Sequence, residues 1–459
     1  MAEAPAGTPP GEPPGEPPGE PPGEPSGTPG TAASGAVSRM PAGAAAGARA
    51  GARAGAGSRA PGPLRGNRDY RRLLVAGLVS QTGDWAISTG LAFHVYQLTG
   101  STLSTAIMLV VSRLPDVLLG SVAGMLADRW DRRRLLVVTE LLLALGLLPL
   151  LAVRDPAQMW IVYAVALWTG VLSTVLVPAQ KALLPQVVAE SQLVRANALH
   201  GQSGQLARLL GAMLGGVAVS AGGLPAVVLV DVTSFVVSAA LQAAVRAPGR
   251  PARSMSAGGQ WISGLRLAMG NAGVRVLVAY MVITGLGEGI FATLAAPFVA
   301  DVLGGGGDAY GLFLSVQAVG GLLGGLVVAA RASGATPRAL LGWGTIVFGA
   351  VDLALFAYPL ALPASGPALW PALVLIVLAG VPAAAAMAGF TTLAQTVTTD
   401  DRRGGVIGLL GSAQAATSLG GMAAAGVLGG ALGIVPTLCL HALGLATAGG
   451  MVLLTWRHA

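Results

Sequence analysis

The sequence is poor in charge, cysteine and lysine. Only 10% of its 459 residues are charged, whereas 53% are apolar. A soluble domain of this size needs a hydrated, charged surface, so this balance excludes one and indicates a chain whose solvent is the lipid bilayer. The single cysteine, Cys439, excludes a disulfide framework or a thiolate metal site within the chain.

Motifs for catalysis are missing as well. The sequence contains no GxxxxGK[ST] phosphate loop, no HExxH motif and no serine–histidine pairing at a recognisable spacing, and no two histidines have metal-ligand spacing. We therefore expect no enzyme, no cofactor and no metal site. The net charge of +7 comes from 27 basic residues, among which Lys181 is the one lysine. The arginines fall in alternate loops, so we interpret them as topology determinants and expect no nucleic-acid partner.

The first 66 residues differ from the rest of the chain. Residues 11–26 repeat Gly-Glu-Pro-Pro, and an Ala/Gly/Arg stretch follows to about Gly66. Such a segment has too few branched or aromatic side chains to bury a core. We predict that 1–66 is a disordered cytoplasmic tail.

Beyond residue 66 lie twelve apolar stretches, each long enough to cross a bilayer, which takes about 20 residues. They cover approximately residues 73–96, 104–127, 135–153, 158–180, 198–221, 224–245, 275–300, 309–330, 339–360, 369–393, 405–430 and 434–455. The predicted fold class is an all-α membrane protein with twelve transmembrane helices.

Basic residues are distributed unequally between the loops. The connections after spans one, five, seven, nine and eleven contain no arginine or lysine, whereas Arg154 follows span three and the remaining connections carry several basic residues. Because basic loops stay in the cytoplasm, both termini are predicted to be cytoplasmic.

An internal repeat divides the spans into two sets of six. Leu199-x-Gly201 with Gly211 in span five matches Leu409-x-Gly411 with Gly421 in span eleven at one constant offset. Many secondary transporters are built from such parallel halves, with the substrate site between them. We predict an amino-terminal half over 67–245, a cytoplasmic linker over 246–274 and a carboxy-terminal half over 275–459.

The loop between spans two and three carries the most informative motif. It reads Gly120-Ser-Val-Ala-Gly-Met-Leu-Ala-Asp-Arg-Trp-Asp-Arg-Arg-Arg134 and resembles the loop signature of the major facilitator superfamily. The matching positions are Gly124, Asp128, Arg129, Arg132 and Arg133, whereas Asp131 replaces the second glycine of that signature. The resemblance implies the major facilitator fold and a gating loop in which Asp128 latches the inner gate. Alternatively, the arginines only enforce topology.

The stretch from Arg68 to Arg246 resembles the drug-efflux subgroup of this superfamily that includes macrolide and siderophore exporters. The marks are Gln81-Thr-Gly-Asp-Trp85, Tyr96-Gln-Leu-Thr-Gly100, Arg113-Leu-Pro115, Leu193-Val-Arg-Ala-Asn-Ala198 and Asp231-x-x-Ser-Phe235. Efflux facilitators often carry a Gly-Pro motif in span five, and here Ala212 takes the proline position. This departure weakens the inference of drug/proton antiport without affecting the fold.

Ionisable residues inside spans are expensive and suggest function. Candidates for coupling or for lining the cavity are Asp84, Arg113, Asp116, Arg208 and Glu288. Asp84 and Glu288 occupy related positions in the first helix of each half. The Arg113–Asp116 pair fits either proton coupling or a static ion pair.

The other buried acids have less defined roles. Glu140 and Asp231 are expected to serve helix packing or a cytoplasmic polar network, and Asp352 has no partner that the sequence identifies. Candidates for stacking on a substrate are Gln81, Trp168 and Phe291, although aromatic residues in spans mostly pack against lipid or other helices.

Spans two, five, eight and eleven carry stripes of glycine. By resemblance these spans slide across the interface between halves, where close contact needs small residues. The glycines on these stripes are Gly120 and Gly124; Gly201, Gly204, Gly211 and Gly215; Gly320, Gly321, Gly324 and Gly325; and Gly404, Gly408 and Gly411.

We therefore expect a monomeric secondary active exporter in the bacterial inner membrane. Its partners are membrane lipid and a small amphipathic substrate such as a drug, antibiotic or secondary metabolite, and a proton gradient drives it. The alternative keeps the fold but changes the cargo or direction, giving a siderophore, lipid or nutrient carrier.

Overall fold

The computed structural model describes residues 64–127, 130–246, 270–331, 334–361, 369–398 and 403–456, and long α-helices account for most of them. The helices are α1 (Arg68–Thr99), α2 (Thr102–Ala127), α3 (Arg132–Leu147), α4 (Met159–Val187), the long helix Leu193–Ala243, α7 (Ala272–Pro297), α8 (Gly307–Arg331), α9 (Pro337–Ala361), α10 (Leu369–Thr396), α11 (Arg403–Ala431) and α12 (Ile434–Thr455).

The long helix Leu193–Ala243 is broken at Gly223. This glycine has φ 63° and ψ −158°. That backbone conformation lies outside the helical region, and residues other than glycine rarely adopt it. Pro225 follows at once, within the first turn of the next helical segment, where a missing N–H is tolerated. We label the arm before the break α5 (193–222) and the arm after it α6 (224–243).

Ten helices in the described residues are long and apolar enough to cross a membrane. That number treats Leu193–Ala243 as one helix and leaves out α1, whose 32 residues include several charged and amide side chains. The predicted spans fall on α1 to α12 with boundaries close to those of the helices. The count of twelve crossings stays a prediction.

Several helix boundaries differ by a few residues from the predicted spans, and at three places the structure shows the reason. Leu64–Gly66, which we assigned to the tail, form a 3-10 turn with Leu64 4% exposed, because this leucine packs into the apolar core. α7 begins at Ala272 rather than 275, since the Asn271 side chain caps it by accepting from the Val274 N–H. α3 ends at Leu147 because Pro149 supplies no N–H, and a 3-10 turn continues to Ala152. The rest of the tail, residues 1–63, and linker residues 247–269 lie outside the described residues.

The 210-residue repeat has a counterpart in helix packing. A Cβ atom on Gly211 of α5 would clash with the Thr82 carbonyl oxygen of α1, and one on Gly421 of α11 would clash with the Leu286 carbonyl oxygen of α7. The glycines therefore allow the same backbone-to-backbone contact in both parts of the chain. Two residues after each contacted carbonyl stands an acid, Asp84 on α1 and Glu288 on α7.

The amino-terminal part (64–246) and the carboxy-terminal part (270–456) meet mainly through α2 with α11 and α5 with α8. We name the two ends of the bundle by what lies there: the Gly100 end holds the turn between α1 and α2, and the Arg132 end holds the start of α3. An apolar cluster joins both parts near the Gly100 end, where Phe93 stacks on Tyr310 with ring centroids 6.1 Å apart.

Candidate functional site

At the Gly100 end the two parts are in tight contact. A Cβ on Gly216 of α5 would lie 2.7 Å from the Gly311 Cα of α8, and one on Gly426 of α11 would lie 2.6 Å from the Ala106 Cβ of α2. Only hydrogen atoms in place of side chains allow this spacing, so these glycines close the interface.

Polar side chains add cross-links at the same end. The Tyr96 hydroxyl donates to the Asp301 carboxylate, and the Thr102 hydroxyl donates to the Gly426 carbonyl oxygen over 2.9 Å. Ser220 of α5 donates to Asp308 Oδ1 over 3.2 Å and accepts from the Asp308 N–H over 2.8 Å. Each of these bonds joins the amino-terminal part to the carboxy-terminal part.

The Arg132 end of the same interface is open. A Cβ on Gly201, Gly321, Gly325, Gly408 or Gly411 would meet no described atom within 4 Å. Gly408 precedes Gly426 by 18 residues, which is five helical turns, and so faces the same way. The same spacing relates Gly325 to Gly307. The faces that touch at the Gly100 end are thus separated at the Arg132 end.

The glycine stripes need a correction on this basis. Gly211 and Gly215 pack on α1, and Gly320 and Gly324 pack on α10, in each case within one part of the chain. The close contacts between the parts involve other glycines, which are Gly216, Gly307, Gly311, Gly426 and Gly429. The stripes are predicted to lie at the interface between the halves, but on α5 and α8 glycine lines two faces, one within a part and one between the parts.

Between the closed and open ends lies a polar group contributed by both parts. The Arg208 guanidinium of α5 donates to the Gln317 side chain of α8 and lies 5.2 Å from the centre of the Trp85 ring on α1. Just towards the Gly100 end, the Ser315 hydroxyl donates to the Leu209 carbonyl oxygen over 2.9 Å. Arg208 is therefore held at the interface by hydrogen bonding and by a cation–π contact.

Glu288 completes this central polar group. Its exposed carboxylate accepts from the Gln414 amide of α11 over 2.8 Å and interacts electrostatically with Arg208. Gln81 lies on α1 beside Gly204, one turn before Trp85. The structure thus brings the predicted Arg208, Glu288 and Gln81 to one region, together with Trp85 and two glutamines that the coupling and stacking predictions missed.

The acids of the amino-terminal part form a second group. Glu140 is fully buried and accepts from the Ser238 hydroxyl and the Gln242 amide of α6, each over 2.7 Å. Asp231 of α6 is 1% exposed and accepts from the Ser234 hydroxyl over 3.1 Å. Asp84 of α1 interacts electrostatically with both of these acids and with Arg113. Three carboxyl groups and one guanidinium therefore share the centre of this part.

Arg113 and Asp116 form an exposed ion pair on α2. Their charged atoms are 4.0 Å apart, and the two side chains are 62% and 45% exposed. A pair this open contributes at most about 1 kcal/mol to stability. Arg113 of this pair also interacts electrostatically with Asp84 of α1.

The stacking candidates do not come together. Trp168 of α4 packs on Gly146 of α3 and donates to the Leu142 carbonyl oxygen over 3.1 Å. Phe291 of α7 belongs to an aromatic cluster in the carboxy-terminal part, with Phe313 and Phe356 ring centroids 6.5 and 6.3 Å away. Both residues have packing partners, and of the three candidates Gln81 lies at the central polar group.

The gating loop is described only in part. Asp128 and Arg129 lie outside the described residues, and for Gly124 only the helical backbone of α2 is given. Arg132 is 5% exposed and donates to the Ala182 carbonyl oxygen near the end of α4 over 2.8 Å, and Arg133 donates to the Ala243 carbonyl oxygen at the end of α6. These arginines complement the negative ends of two helices.

Asp131, the residue that departs from the family signature, caps α3. Its carboxylate accepts from the Arg134 N–H over 2.9 Å. An aspartate just before a helical apolar run is a known cap signal, so this role could have been found in the sequence.

Comparison with known proteins identifies the family. A family model described as a transmembrane secretion effector matches residues 59–457. The MFS-type transporter YfiS of Bacillus subtilis is 26% identical over 178 residues, which are 39% of this chain and 42% of YfiS. This chain therefore spans less than half of the length of that curated relative.

Two similar proteins have exporter names. Macrolide efflux protein A of Streptococcus pyogenes is 23% identical over 164 residues, covering 35% of this chain and 40% of that protein. The enterobactin exporter EntS of Citrobacter koseri is 23% identical over 157 residues, covering 34% and 38%.

Solved structures agree on the fold. The crystal structure of a bacterial homologue of the iron transporter ferroportin in the inward-facing state has a TM-score of 0.67 at 18% identity, covering 85% of this chain and 99% of that one. At this identity the likeness concerns the fold alone. The chain therefore belongs to the transmembrane secretion effector family of the major facilitator transporters, multi-pass proteins of the bacterial inner membrane that are transporters and not enzymes.

Proposed function

We propose that this protein is a secondary active exporter of small amphipathic compounds that works by alternating access and is driven by the proton gradient. The observation that carries the proposal is the asymmetry of the interface: it is closed at the Gly100 end and open at the Arg132 end, with Arg208, Glu288 and Gln317 between. An alternating-access transporter needs a polar site between two barriers, and only one barrier at a time is open to the aqueous phase.

The orientation follows from the loop charges. The basic connections lie at the Arg132 end, which we assign to the cytoplasm together with both termini of a twelve-span chain. On this assignment the structure is inward-open, ready to receive a substrate from the cytoplasm. The exporter names of macrolide efflux protein A and EntS support outward transport.

The central polar group suggests the chemistry of the cargo. Trp85 offers an aromatic face, Gln317 and Gln414 offer amides, and Arg208 with Glu288 offers both charges. Such a mixture suits an amphipathic compound that carries polar groups on an apolar body.

We assign proton coupling to one acid from each part of the chain, Asp84 and Glu288. Asp84 and Glu288 follow equivalent helix contacts in the two parts, and Asp84 lies within the electrostatic reach of Arg113. A proton on either acid changes the charge that the arginines face. Each charge moved across the membrane supplies about 2.3 kcal/mol per 100 mV to drive the cycle.

Inside-out vesicles with an imposed pH gradient test the proposal. We expect gradient-dependent uptake of at least one compound among dyes, macrolides and siderophores, abolished by an uncoupler. Absence of gradient-dependent uptake for all of them would contradict proton-coupled export.

A double variant tests the coupling acids. Asp84→Asn with Glu288→Gln keeps side-chain size and removes both titratable groups, so we expect loss of gradient-driven uptake. Asp155→Asn is the matched control, because this acid only caps a 3-10 turn at the Gly100 end. Wild-type uptake by the double variant would remove both acids from the mechanism.

The gating loop gives a separate proposal. Asp128 would latch the Arg132 end shut in the outward-open state, so Asp128→Asn should slow transport while leaving binding from the cytoplasmic side intact. Unchanged transport would rule out the latch.

The name of the similar protein EntS, an enterobactin exporter, favours the alternative cargo, a siderophore. Its discriminating result is uptake of a catecholate siderophore with no uptake of dyes or macrolides in the same vesicles.

A further inference from the structure

His441 of α12 and Asp352 of α9 form a buried ionisable pair that the mechanism above does not use. The His441 Nε2 and Asp352 Oδ2 atoms are 3.2 Å apart, and the two side chains are only 6% and 7% exposed. His441 Nδ1 is buried and has no hydrogen-bond partner among the described residues. The pair is 89 residues apart in sequence, and no motif marks it.

The surroundings of the pair are apolar on most sides. The imidazole ring has the Phe291 and Phe356 rings at 6.2 Å between centroids. On the α7 side it rests against Gly287, where a side chain would collide with Nδ1. The residue after Gly287 is Glu288, the exposed acid of the central polar group.

Glu288 is the acid that adjoins this contact. The ionisable side chains described on the elements packed around α12 are Arg275, Tyr280 and Glu288 on α7, Asp301 after α7, Arg338, Asp352 and Tyr358 on α9, and Cys439 on α12 itself. Both arginines lie in the first turn of their helices at the Arg132 end, whereas α12 begins at the Gly100 end with His441 in its second turn. Among these described side chains, no basic group therefore balances the pair.

An apolar site strongly favours a neutral pair. With one proton, the pair is either imidazolium with carboxylate or imidazole with carboxylic acid, and its net charge is zero. With no proton it is a buried anion, and with two it is a buried cation, each of which costs several kcal/mol. The number of protons on the pair therefore depends on how closely the aromatic rings and α7 exclude water from it.

We propose that His441 and Asp352 form a second proton-binding site of this transporter, which holds one proton while α7 rests on the imidazole and releases it when that contact opens. This rests on the proposed function, because release during transport requires α7 to shift against α12 within the carboxy-terminal part as the interface opens and closes. The path of coupling is short: a substrate or proton at Glu288 acts on α7, and α7 contacts the imidazole through the neighbouring Gly287.

The first test measures the site itself and needs no transport. The protein is labelled with ¹⁵N-histidine in lipid nanodiscs, and His441→Gln assigns the resonance of His441 among the four histidines. We expect its ring-nitrogen shifts to stay constant between about pH 5 and about pH 8 in the wild type, because the buried pair keeps one proton. Asp352→Asn removes the carboxylate, so we expect the His441 shifts to differ from wild type and to depend on pH in this range, in which an ordinary imidazole titrates. Wild-type shifts that change with pH as those of an ordinary imidazole do, or shifts that are identical without the Asp352 carboxylate, would overturn the proposal.

The second test separates proton coupling from packing. The double variant Asp352→Asn with His441→Gln keeps a hydrogen-bonded pair of similar size that cannot exchange a proton. We expect loss of gradient-driven accumulation, with substrate exchange at equal pH on both sides retained. Gradient-driven accumulation equal to wild type would overturn the proposal.

The matched control is Tyr280→Phe. It removes another buried bond between α7 and α9, from the Tyr280 hydroxyl to the Thr345 hydroxyl at 3.0 Å, with no proton site. We expect lower thermal stability and an unchanged pH dependence. If wild type shows no gradient-driven transport, proton-coupled export fails, and the histidine titration alone decides whether the pair is a proton site.

Discussion

At the scale of single residues, the glycines differ in whether helix packing requires them. Gly215 and Gly201 lie on the same helix, α5, and in sequence alone they belong to one stripe. A Cβ on Gly215 would clash with the Ala86 carbonyl oxygen of α1, whereas one on Gly201 would meet no described atom within 4 Å. The first glycine is required by packing within the amino-terminal part, and the second faces open space.

This difference predicts the effect of alanine at each position. Gly215→Ala should lower stability by about 1–3 kcal/mol, the usual cost of overpacking. Gly201→Ala is the matched control and should leave stability unchanged or raise it by up to about 1 kcal/mol, because alanine favours a helix. Thermal unfolding of the purified variants in detergent measures both, and equal unfolding midpoints would contradict the packing described here.

Some residue positions follow from patterns in the sequence. Glu288 lies in the first helix of the second half, at the position related to Asp84, and the Asp131 cap can be inferred from its position before α3. The Asp352–His441 pair could not, because its two residues meet only after α9 and α12 pack. The asymmetry of the interface was also invisible, since the open and closed glycines repeat every 18 residues along the same helix faces.

At the scale of helices, apolar length and loop charge were enough to place the elements. The break at Gly223 falls between two predicted spans, and α1 was found although its polar residues keep it out of the ten apolar helices. What sequence could not give is which helices touch across the interface and at which end. That depends on the tilt of each part, which is set by contacts such as Gly216 on Gly311 rather than by any one span.

The polar bonds at the Gly100 end make a prediction about helix pairs. Tyr96→Phe with Thr102→Val removes two hydrogen bonds that link the parts, at about 1 kcal/mol each, and so should shift the equilibrium about thirty-fold away from the state described here. The reporter of this shift is a cysteine at position 219, where Val219 is buried beneath Gly307. Cys439 is replaced by serine, so that the new cysteine is the one that reacts. We expect faster labelling by an impermeant maleimide from the outside of the cell.

The control for that experiment is Thr233→Val. The Thr233 hydroxyl donates to the Leu229 carbonyl oxygen of its own helix over 2.7 Å, so its loss removes the same kind of bond without crossing the interface. With Thr233→Val, the labelling rate of the cysteine at position 219 should match that of the parent protein, which carries Val219→Cys and Cys439→Ser alone. If the double variant also labels like the parent, the Gly100 end is not held by these bonds.

At the scale of the whole molecule, the alternating access proposed above requires the two ends of the interface to open and close in turn. In the opposite state α2 would approach α11 near Gly408, five turns along the helix face that contacts α2 at Gly426. A glycine that is free now would then be buried, just as Gly426 is buried in the present state. On this proposal the glycines of α11 serve two conformations in turn, which accounts for a pattern longer than either interface needs.

We therefore expect Gly408→Leu to hold the transporter in the conformation described here. The added side chain meets no described atom now but would obstruct closure of the Arg132 end, so stability should be unchanged and transport lost. Labelling of the cysteine at position 219 should become slower than in the parent, opposite in sign to Tyr96→Phe with Thr102→Val. Faster labelling, or normal transport, would mean that α2 and α11 do not close on each other at this end and that the two parts move in some other way.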